Sequence, residues 1–285
     1  MPSRHIVVIG ASAGGIEALR IIAAALHEDF PAPICIVLHT APQSPGLLDA
    51  ILSRAGALPA TNAVNGERLR PGHIYVAPPD FHLVIEPGVV RVTKGPRENR
   101  FRPAIDPLFR SAAQVYGPGA IGVLLTGSLD DGTDGLSAIK SLGGCAIVQD
   151  PIEAMFPSMP QHAIDHVEVD YVLPLAQIVP ALVRLTSVPI EPIPSTEVPD
   201  QLQVEVNIAM EHNPFDAGLE RLGKPSDFAC PECHGVLLEL KDGERTKFRC
   251  HTGHAYSIAS LLAAISESIE DSLWSGCARS KRGSC

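Results

Sequence analysis

The stretch HIVVIGASAGGIEALRIIAAAL, His5 to Leu26, decides how the rest of the chain is read. Its opening residues, His5 to Ile9, form a short β-branched apolar run stopped by glycine, the pattern of a buried strand. Gly10-Ala11-Ser12-Ala13-Gly14-Gly15 follows, and then Ile16 to Leu26, whose alanine and leucine content predicts a helix. Strand, tight glycine turn and helix, in that order, is the setting in which G-x-S-x-G becomes a nucleophile elbow. Gly10 and Gly14 leave room for the reversal, Ala11 and Ala13 do not obstruct it, and Ser12 is held above the carboxyl end of the strand. The helix directs unpaired amides and partial positive charge at the same spot, which suits an oxyanion. Two other uses of the turn stay open on this stretch alone: a phosphate cradle and a purely structural connection. A dinucleotide fingerprint fits poorly, because the glycine spacing differs and the second strand, Ile34 to Leu38, ends in His39 rather than an acidic residue.

The 285 residues suffice for one sizeable α/β domain and something smaller, and a hydrophobic content of 45% supports a core of ordinary size. A net charge of −10 with no offsetting basic cluster argues against a nucleic-acid surface. No apolar run approaches the length of a bilayer span, and Met1 to Arg4 leads straight into a strand, so neither signal peptide nor anchor is expected. The 7 cysteines are unevenly spread, with Cys230, Cys233 and Cys250 clustered late, which does not suit a disulfide framework. A cytoplasmic protein is the expectation.

Further along, Ser44 to Arg54 reads as a helix. His73 to Ala77, His82 to Ile85 and Val89 to Val92 read as short strands; the turn signals between them predict antiparallel hairpins inserted into or appended to a parallel sheet. The basic loop Lys94 to Pro103 precedes a helix from Asp106 to Tyr116. A strand (Ala120 to Leu125), a glycine-rich turn (Thr126 to Gly132), a helix (Thr133 to Leu142), a strand (Cys145 to Val148) and two helices (Gln161 to His166, Leu175 to Leu185) complete the first domain. This alternation predicts an α/β fold with a doubly wound, mainly parallel sheet. The expected division is a catalytic domain over 1–185, a proline-rich linker over 186–201, a small module over 202–256, an amphipathic helix over 257–277 and a disordered tail over 278–285.

In an open α/β sheet, reactive groups gather beyond the carboxyl ends of the strands. Three ends carry them here: Ser12, then His39, then Asp130 and Asp131. A serine hydroxyl needs a base, and an imidazole base needs a carboxylate to fix its tautomer and stabilise the cation it becomes. On residue type alone His82 or His162 can replace His39, and the two aspartates fit an ordinary turn. The order Ser…His…Asp also differs from that of the α/β-hydrolases.

Five blocks extend these observations: Ile9 to Gly15; Leu38-His39; Arg102 to Ala113 (RPAIDPLFRSAA); Leu125-Thr126-Gly127 with Asp131-Gly132; and Met159 to Ala163 (MPQHA). Over about Arg4 to Leu185 the chain resembles the catalytic domain of CheB-type protein-glutamate methylesterases. The resemblance implies a nucleophile at Ser12, a base at His39 and a carboxylate at Asp131, with Asp130 in a neighbouring polar position. It also implies hydrolysis of glutamate methyl esters on chemoreceptor helices with release of methanol, often with deamidation of receptor glutamines, and no catalytic metal or organic cofactor. Amides near Ala13 and in the Thr126 to Leu129 turn are the expected oxyanion donors. Arg97, Arg100 and Arg102 either steer acidic receptor helices or form a solvated loop. Two departures stand out. Ser128-Leu129 replaces the usual Met-Gly, and no receiver domain precedes His5, so the expected enzyme is constitutively competent or gated by its C-terminal part or a separate protein. The competing readings are a catalytically impaired signalling scaffold and a phosphate- or nucleotide-binding module.

Cys230-Pro231-Glu232-Cys233 and Cys250-His251-Thr252-Gly253-His254 are separated by sixteen residues that hold two apolar stretches around Asp242-Gly243. Two knuckles flanking a hairpin predict a zinc ribbon with structural zinc on Cys230, Cys233, Cys250 and His254. His251 is the alternative fourth ligand and His234 a weaker one.

Overall fold

Both faces of the first strand are buried. Ile6–Ala11 (β1) has no exposed residue, which requires a strand inside a sheet covered by a layer on each side. Ile6 and Val8 point into one core and Val7, Ile9 and Ala11 into the other, as the two-residue repeat of a strand dictates.

A computed structural model describes residues 5–190, 198–242 and 245–282. After β1 come Gly15–Ala25 (α1), Ile34–Leu38 (β2), Leu48–Ala55 (α2), Ala60–Asn62 (β3), Ile74–Val76 (β4), His82–Glu86 (β5) and Val89–Thr93 (β6). Ile105–Tyr116 (α3), Ala120–Leu124 (β7), Thr133–Ser141 (α4), Cys145–Gln149 (β8), Ser158–His166 (α5), Tyr171–Leu173 (β9) and Leu175–Thr186 (α6) follow. The remainder is Asp200–Ala209 (α7), Gly223–Ala229 (β10), Val236–Asp242 (β11), Arg245–Cys250 (β12), Ala255–Ser257 (β13) and Ile258–Arg282 (α8).

A seven-stranded parallel sheet runs in the order β3-β4-β2-β1-β7-β8-β9, with α1, α2 and α6 against one face and α3, α4, α5 and α7 towards the other. The chain moves outward from β1 through β2 and later returns to its other side at β7. The carboxyl ends of β1, β2 and β7 therefore meet at a topological switch point. β5 and β6 form a separate two-stranded antiparallel hairpin, and β10 to β13 a four-stranded antiparallel sheet followed by α8. No described helix is long and apolar enough to cross a membrane.

Several details differ from the sequence expectation. The run from His73 is not the hairpin strand that its turn signals predict, because β4 pairs in parallel with both β2 and β3 and belongs to the main sheet. Pro78-Pro79-Asp80 ends a parallel strand as readily as it turns a hairpin. The second helix begins at Leu48 rather than Ser44, because Pro45 and Gly46, the latter at φ +66°, keep the preceding chain out of helix. α7 spans residues expected partly in the linker and partly in the C-terminal module; its Leu202, Val206 and Ala209 enter the core shared with α3 and the hairpin. Residues 191–197 of the proline-rich segment lie outside the described residues, as do 283–285 of the expected tail; α8 continues through 278–282.

Buried charges join the C-terminal sheet to the parallel-sheet domain. Arg249 Nη2 donates to Glu98 Oε1 at 3.0 Å, and Arg110 pairs with the other Glu98 oxygen. Lys247 Nζ reaches Glu205 at 2.6 Å and Asp134 at 3.2 Å, while Arg245 pairs with Asp134 at 2.7 Å. Burial pushes the Glu98 carboxyl up, but the Arg110 and Arg249 guanidinium groups overcome this and hold it at about 2. Charges this deep persist only when paired, so truncating one partner leaves the other stranded.

Candidate active site

Ser12 follows β1 directly, and its N–H donates to Thr126 O at 3.0 Å, tying the turn to the segment after β7. The reversal itself falls at Gly14, whose φ of +75° is the left-handed region. Gly10, expected in the turn, lies inside β1 instead, where the absence of a Cβ lets Ile105 pack against the strand. Gly127 is needed for close approach: a Cβ there would lie 2.8 Å from Ser12 Cβ and 2.5 Å from Met159 Cε. His39 N–H donates to Ala11 O at 3.1 Å, continuing the β1–β2 ladder and setting its side chain beside Ser12.

His39 Nδ1 lies 3.1 Å from Ser12 Oγ and its Nε2 lies 2.6 Å from Asp131 Oδ2. Phe101 stacks on the imidazole, the ring centroids 3.8 Å apart and the planes 6° from parallel. Asp131 is almost fully buried. Its Oδ2 also accepts from the Ile105 amide at 2.7 Å, at the positive end of α3, and its Oδ1 accepts from Asn99 Nδ2 at 3.0 Å. Burial alone would raise its pKa, but the hydrogen bond and charge of His39, with these donors, hold the carboxyl well below the usual carboxylate range. It stays ionised. A cleft of about 350 Å³ opens onto Ser12 and His39 between Pro42, Arg100 and Phe101.

Of the amides beside Ser12, those of Thr126 and Gly127 are already engaged, with Gln149 Oε1 at 2.8 Å and Phe156 O at 3.0 Å. Those of Ala13 and Gly14, entering α1, donate to no acceptor among the described residues. Leu129, where glycine was expected from the family pattern, occupies φ +66°, the left-handed conformation that glycine adopts without steric cost.

The other histidines lie apart from this group. His82 is buried, with Nε2 2.8 Å from Pro96 O and Nδ1 accepting from the Ala104 amide. His162 faces Thr133 and Asp130. The arginine loop is tied down within the molecule rather than solvated: Arg102 pairs with Asp80 at 2.7 Å, Arg100 with Glu267 of α8, and Arg97 with Glu232 at 3.9 Å.

Asp130 turns away from His39 and accepts from Ser257 Oγ at 2.8 Å. Burial pushes its pKa up to about 6; the Ser257 hydrogen bond opposes this and the neighbouring Asp131 and Asp134 carboxylates add to it. Between the ordinary value of 3.8 and about 6, the folded chain holds a proton that the unfolded chain has released. Stability conferred by this group is therefore complete below pH ~4 and falls as pH rises through about 6. Asp130→Asn is expected to flatten this dependence and raise stability at pH 7 by up to about 3 kcal/mol, read from urea denaturation at pH 4 and 7. Equal stability of variant and wild type at pH 7 would contradict the assignment.

In the C-terminal sheet one donor atom from each of Cys230, Cys233, Cys250 and His254 lies within 4.8 Å of the others. Cys233 Sγ and Cys250 Sγ are 3.6 Å apart, and His254 Nδ1 is 3.6 Å from Cys230 Sγ and 3.5 Å from Cys250 Sγ. A tetrahedral zinc site with Zn–S bonds of about 2.3 Å has ligand edges of about 3.8 Å, so the donor set fits that ion. His254 Nε2 faces the Glu232 carboxylate at 3.4 Å, the outer partner that orients a ligating imidazole. His251 and His234 are not members of the group.

Sequence reasoning missed Glu98, Asn99, Phe101 and Asp106. The first three lie in a loop read by its net charge, and nothing in composition marks a charged loop as buried.

Residues 7–182 match the CheB methylesterase family model. A relative from Leptospira interrogans is 43% identical over 180 residues, 63% of this chain and 93% of that one. A protein-glutamate methylesterase/protein-glutamine glutaminase of Anaeromyxobacter dehalogenans is 42% identical over 182 residues, 64% of this chain but 53% of that one. The crystal structure of the Thermotoga maritima CheB methylesterase catalytic domain superposes with a TM-score of 0.61 at 38% identity, covering 64% of this chain and 98% of that one. α7, the C-terminal sheet and α8 lie beyond the family match, and over residues 7–182 the chain belongs to the CheB methylesterase family.

Proposed function

We propose that this protein is a cytoplasmic serine hydrolase that removes methyl groups from glutamate methyl esters on chemoreceptor helices, with Ser12 as nucleophile, His39 as base and Asp131 as the carboxylate that orients it. The reading rests above all on the unbroken contact from Ser12 Oγ through both imidazole nitrogens to Asp131, in a chain of this family. Ser12 Oγ attacks the ester carbonyl as its proton passes to His39 Nδ1. The imidazolium keeps its Nε2–H on Asp131, and the amides of Ala13 and Gly14 receive the oxyanion. Collapse of the tetrahedral intermediate expels methanol, protonated by His39. Water then attacks the acyl-serine with His39 again as base, releasing glutamate and restoring the hydroxyl. Each oxyanion donor is worth about 100- to 1000-fold in rate. The same steps applied to a glutamine side chain expel ammonia, so glutaminase activity belongs to the proposal.

The domain arrangement proposed is a catalytic unit over 1–185, a linker, a zinc-ribbon module and a terminal helix. Cys230, Cys233, Cys250 and His254 would hold structural zinc, which would cross-link the two knuckles of a segment with a small apolar core. The proposed enzyme is constitutively competent, or gated by its C-terminal part or by a separate signalling protein. Methanol release from methylated receptor membranes tests the enzymatic reading: wild type releases methanol and Ser12→Ala does not. Equal release by the two proteins would sink it.

A further inference from the structure

Asn99 is buried in the loop between β6 and α3, at φ +48°, a conformation that asparagine tolerates better than most residues. Its side chain is saturated. Nδ2 donates to Asp131 Oδ1 and to Asp106 Oδ2, both at 3.0 Å. Oδ1 accepts from the Ser257 amide and from Ser260 Oγ, both at 3.0 Å. The polarity of these partners fixes the amide's orientation, since the Asp131 carboxylate, held ionised, only accepts and the Ser257 backbone N–H only donates.

The accepting half of the amide is held by the start of α8. There, Ser260 N–H donates to Ser257 Oγ and Ser257 N–H to Ser260 Oγ, each at 2.9 Å, a reciprocal helix cap. The main-chain N–H of Asn99 donates to Ala255 O at 2.8 Å, and that of Ala255 to Arg97 O at 3.1 Å, so β13 runs alongside the loop. The buried Glu98–Arg249 pair adds a third tie one residue away.

We propose that Asn99 is a positioning residue for Asp131, and that the C-terminal sheet and the cap of α8 hold it in that role. The proposal rests on the reading that Ser12, His39 and Asp131 carry out hydrolysis. Without the Asn99 amide, Asp131 Oδ1 retains only a long contact from the Asp106 amide at 3.4 Å. Burial and the facing Asp131 and Asp134 carboxylates already push the Asp106 carboxyl well up; with no donor left between them, Asp131 is free to rotate towards Asp106 and away from its place behind His39. A rotated Asp131 no longer fixes the tautomer of His39. The other charged groups around this point are Asp130 at Ser257, Asp134 and Arg110 beside Asp106, and His39 beyond Asp131.

Asn99→Asp is the discriminating variant. It keeps the shape, the tolerance of positive φ and the acceptor towards Ser257 and Ser260, but sets an oxygen against the two carboxylates. For methanol release we expect kcat to fall about 10- to 100-fold, the worth of one hydrogen bond to a charged group. KM should stay within about twofold. The ratio of variant to wild-type kcat should rise as pH falls, because the new carboxyl regains a donor once protonated; taking the ratio cancels the pH dependence common to both proteins. Ser260→Ala, distant from the reacting atoms, should lower kcat several-fold in the wild-type background and have no further effect in Asn99→Asp. A kcat for Asn99→Asp within about threefold of wild type, a ratio flat with pH, or fully additive effects of the two substitutions would overturn the proposal. Ser12→Ala run alongside separates the two failures. If it is inactive while Asn99→Asp is fully active, only the positioning role falls; if it is active, the hydrolytic reading itself falls.

Discussion

His39→Ala lowers methanol release on the order of 10⁵-fold, and Asp131→Asn on the order of 10⁴-fold, with little change in KM for either. The first follows because no other base reaches Ser12: His82 is bonded to Pro96 O and the Ala104 amide, and His162 sits at Thr133 and Asp130. The second follows from the donors that converge on Asp131. The amides of Ile105 and Asn99 and the His39 ring all aim N–H groups at its two oxygens. A carboxylate accepts all of them, whereas a carboxamide turns an NH₂ towards at least one. It also forfeits the charge that stabilises the imidazolium, which is lost only in the transition state and so falls on kcat. Initial rates with methylated receptor membranes measure both. A His39→Ala rate within tenfold of wild type would remove the base from the scheme.

Cys230→Ser or Cys250→Ser should abolish bound zinc, from one equivalent per chain to none, and unfold the C-terminal sheet. The apolar cluster within that sheet comprises Leu237, Phe248, Tyr256 and Leu261 with the two cysteines, too little to offset the ordering of so many residues. Metal binding in modules of this size supplies on the order of 10 kcal/mol, which is folding free energy. The consequences reach beyond the sheet. Arg249 and Lys247 leave Glu98 and Glu205 as buried, less compensated carboxylates, a penalty of about 3–5 kcal/mol for each broken pair. Amide exchange should become rapid over β10–β13 while β1, β2 and β7 stay protected. Metal analysis showing no zinc in the wild type, with exchange unchanged in either variant, would refute the assignment.

The centre of the parallel sheet was legible because short β-branched runs followed by glycine or by reactive residues leave few alternatives. Ser12, His39 and Asp131 could be marked because each ends such a run or begins the turn beyond it. The late Cys/His group was legible from spacing, and the structure gathers His254 rather than His251 into it. Strand pairing was not: β4 looks like a hairpin strand until its partners β2 and β3 are known, and those pairings are long-range. α7 was hidden by its proline-rich surroundings, although Leu202, Val206 and Ala209 bury a face against the main core. Glu98, Asn99, Arg249 and Lys247 were hidden for another reason. Polar residues are buried only where partners meet them, and here Glu98 meets Arg249, and Asn99 meets Ser257, from segments more than a hundred residues away.

Acid-quenched reaction of the wild-type protein with a receptor-derived peptide carrying a glutamate methyl ester, followed by mass spectrometry of the digested chain, probes the chemistry most directly. The account predicts a transient adduct on Ser12 with the mass of the peptide less methanol, which accumulates when hydrolysis of the acyl-serine is slowed. Full turnover with Ser12 never modified, or an adduct on a different residue, would contradict it.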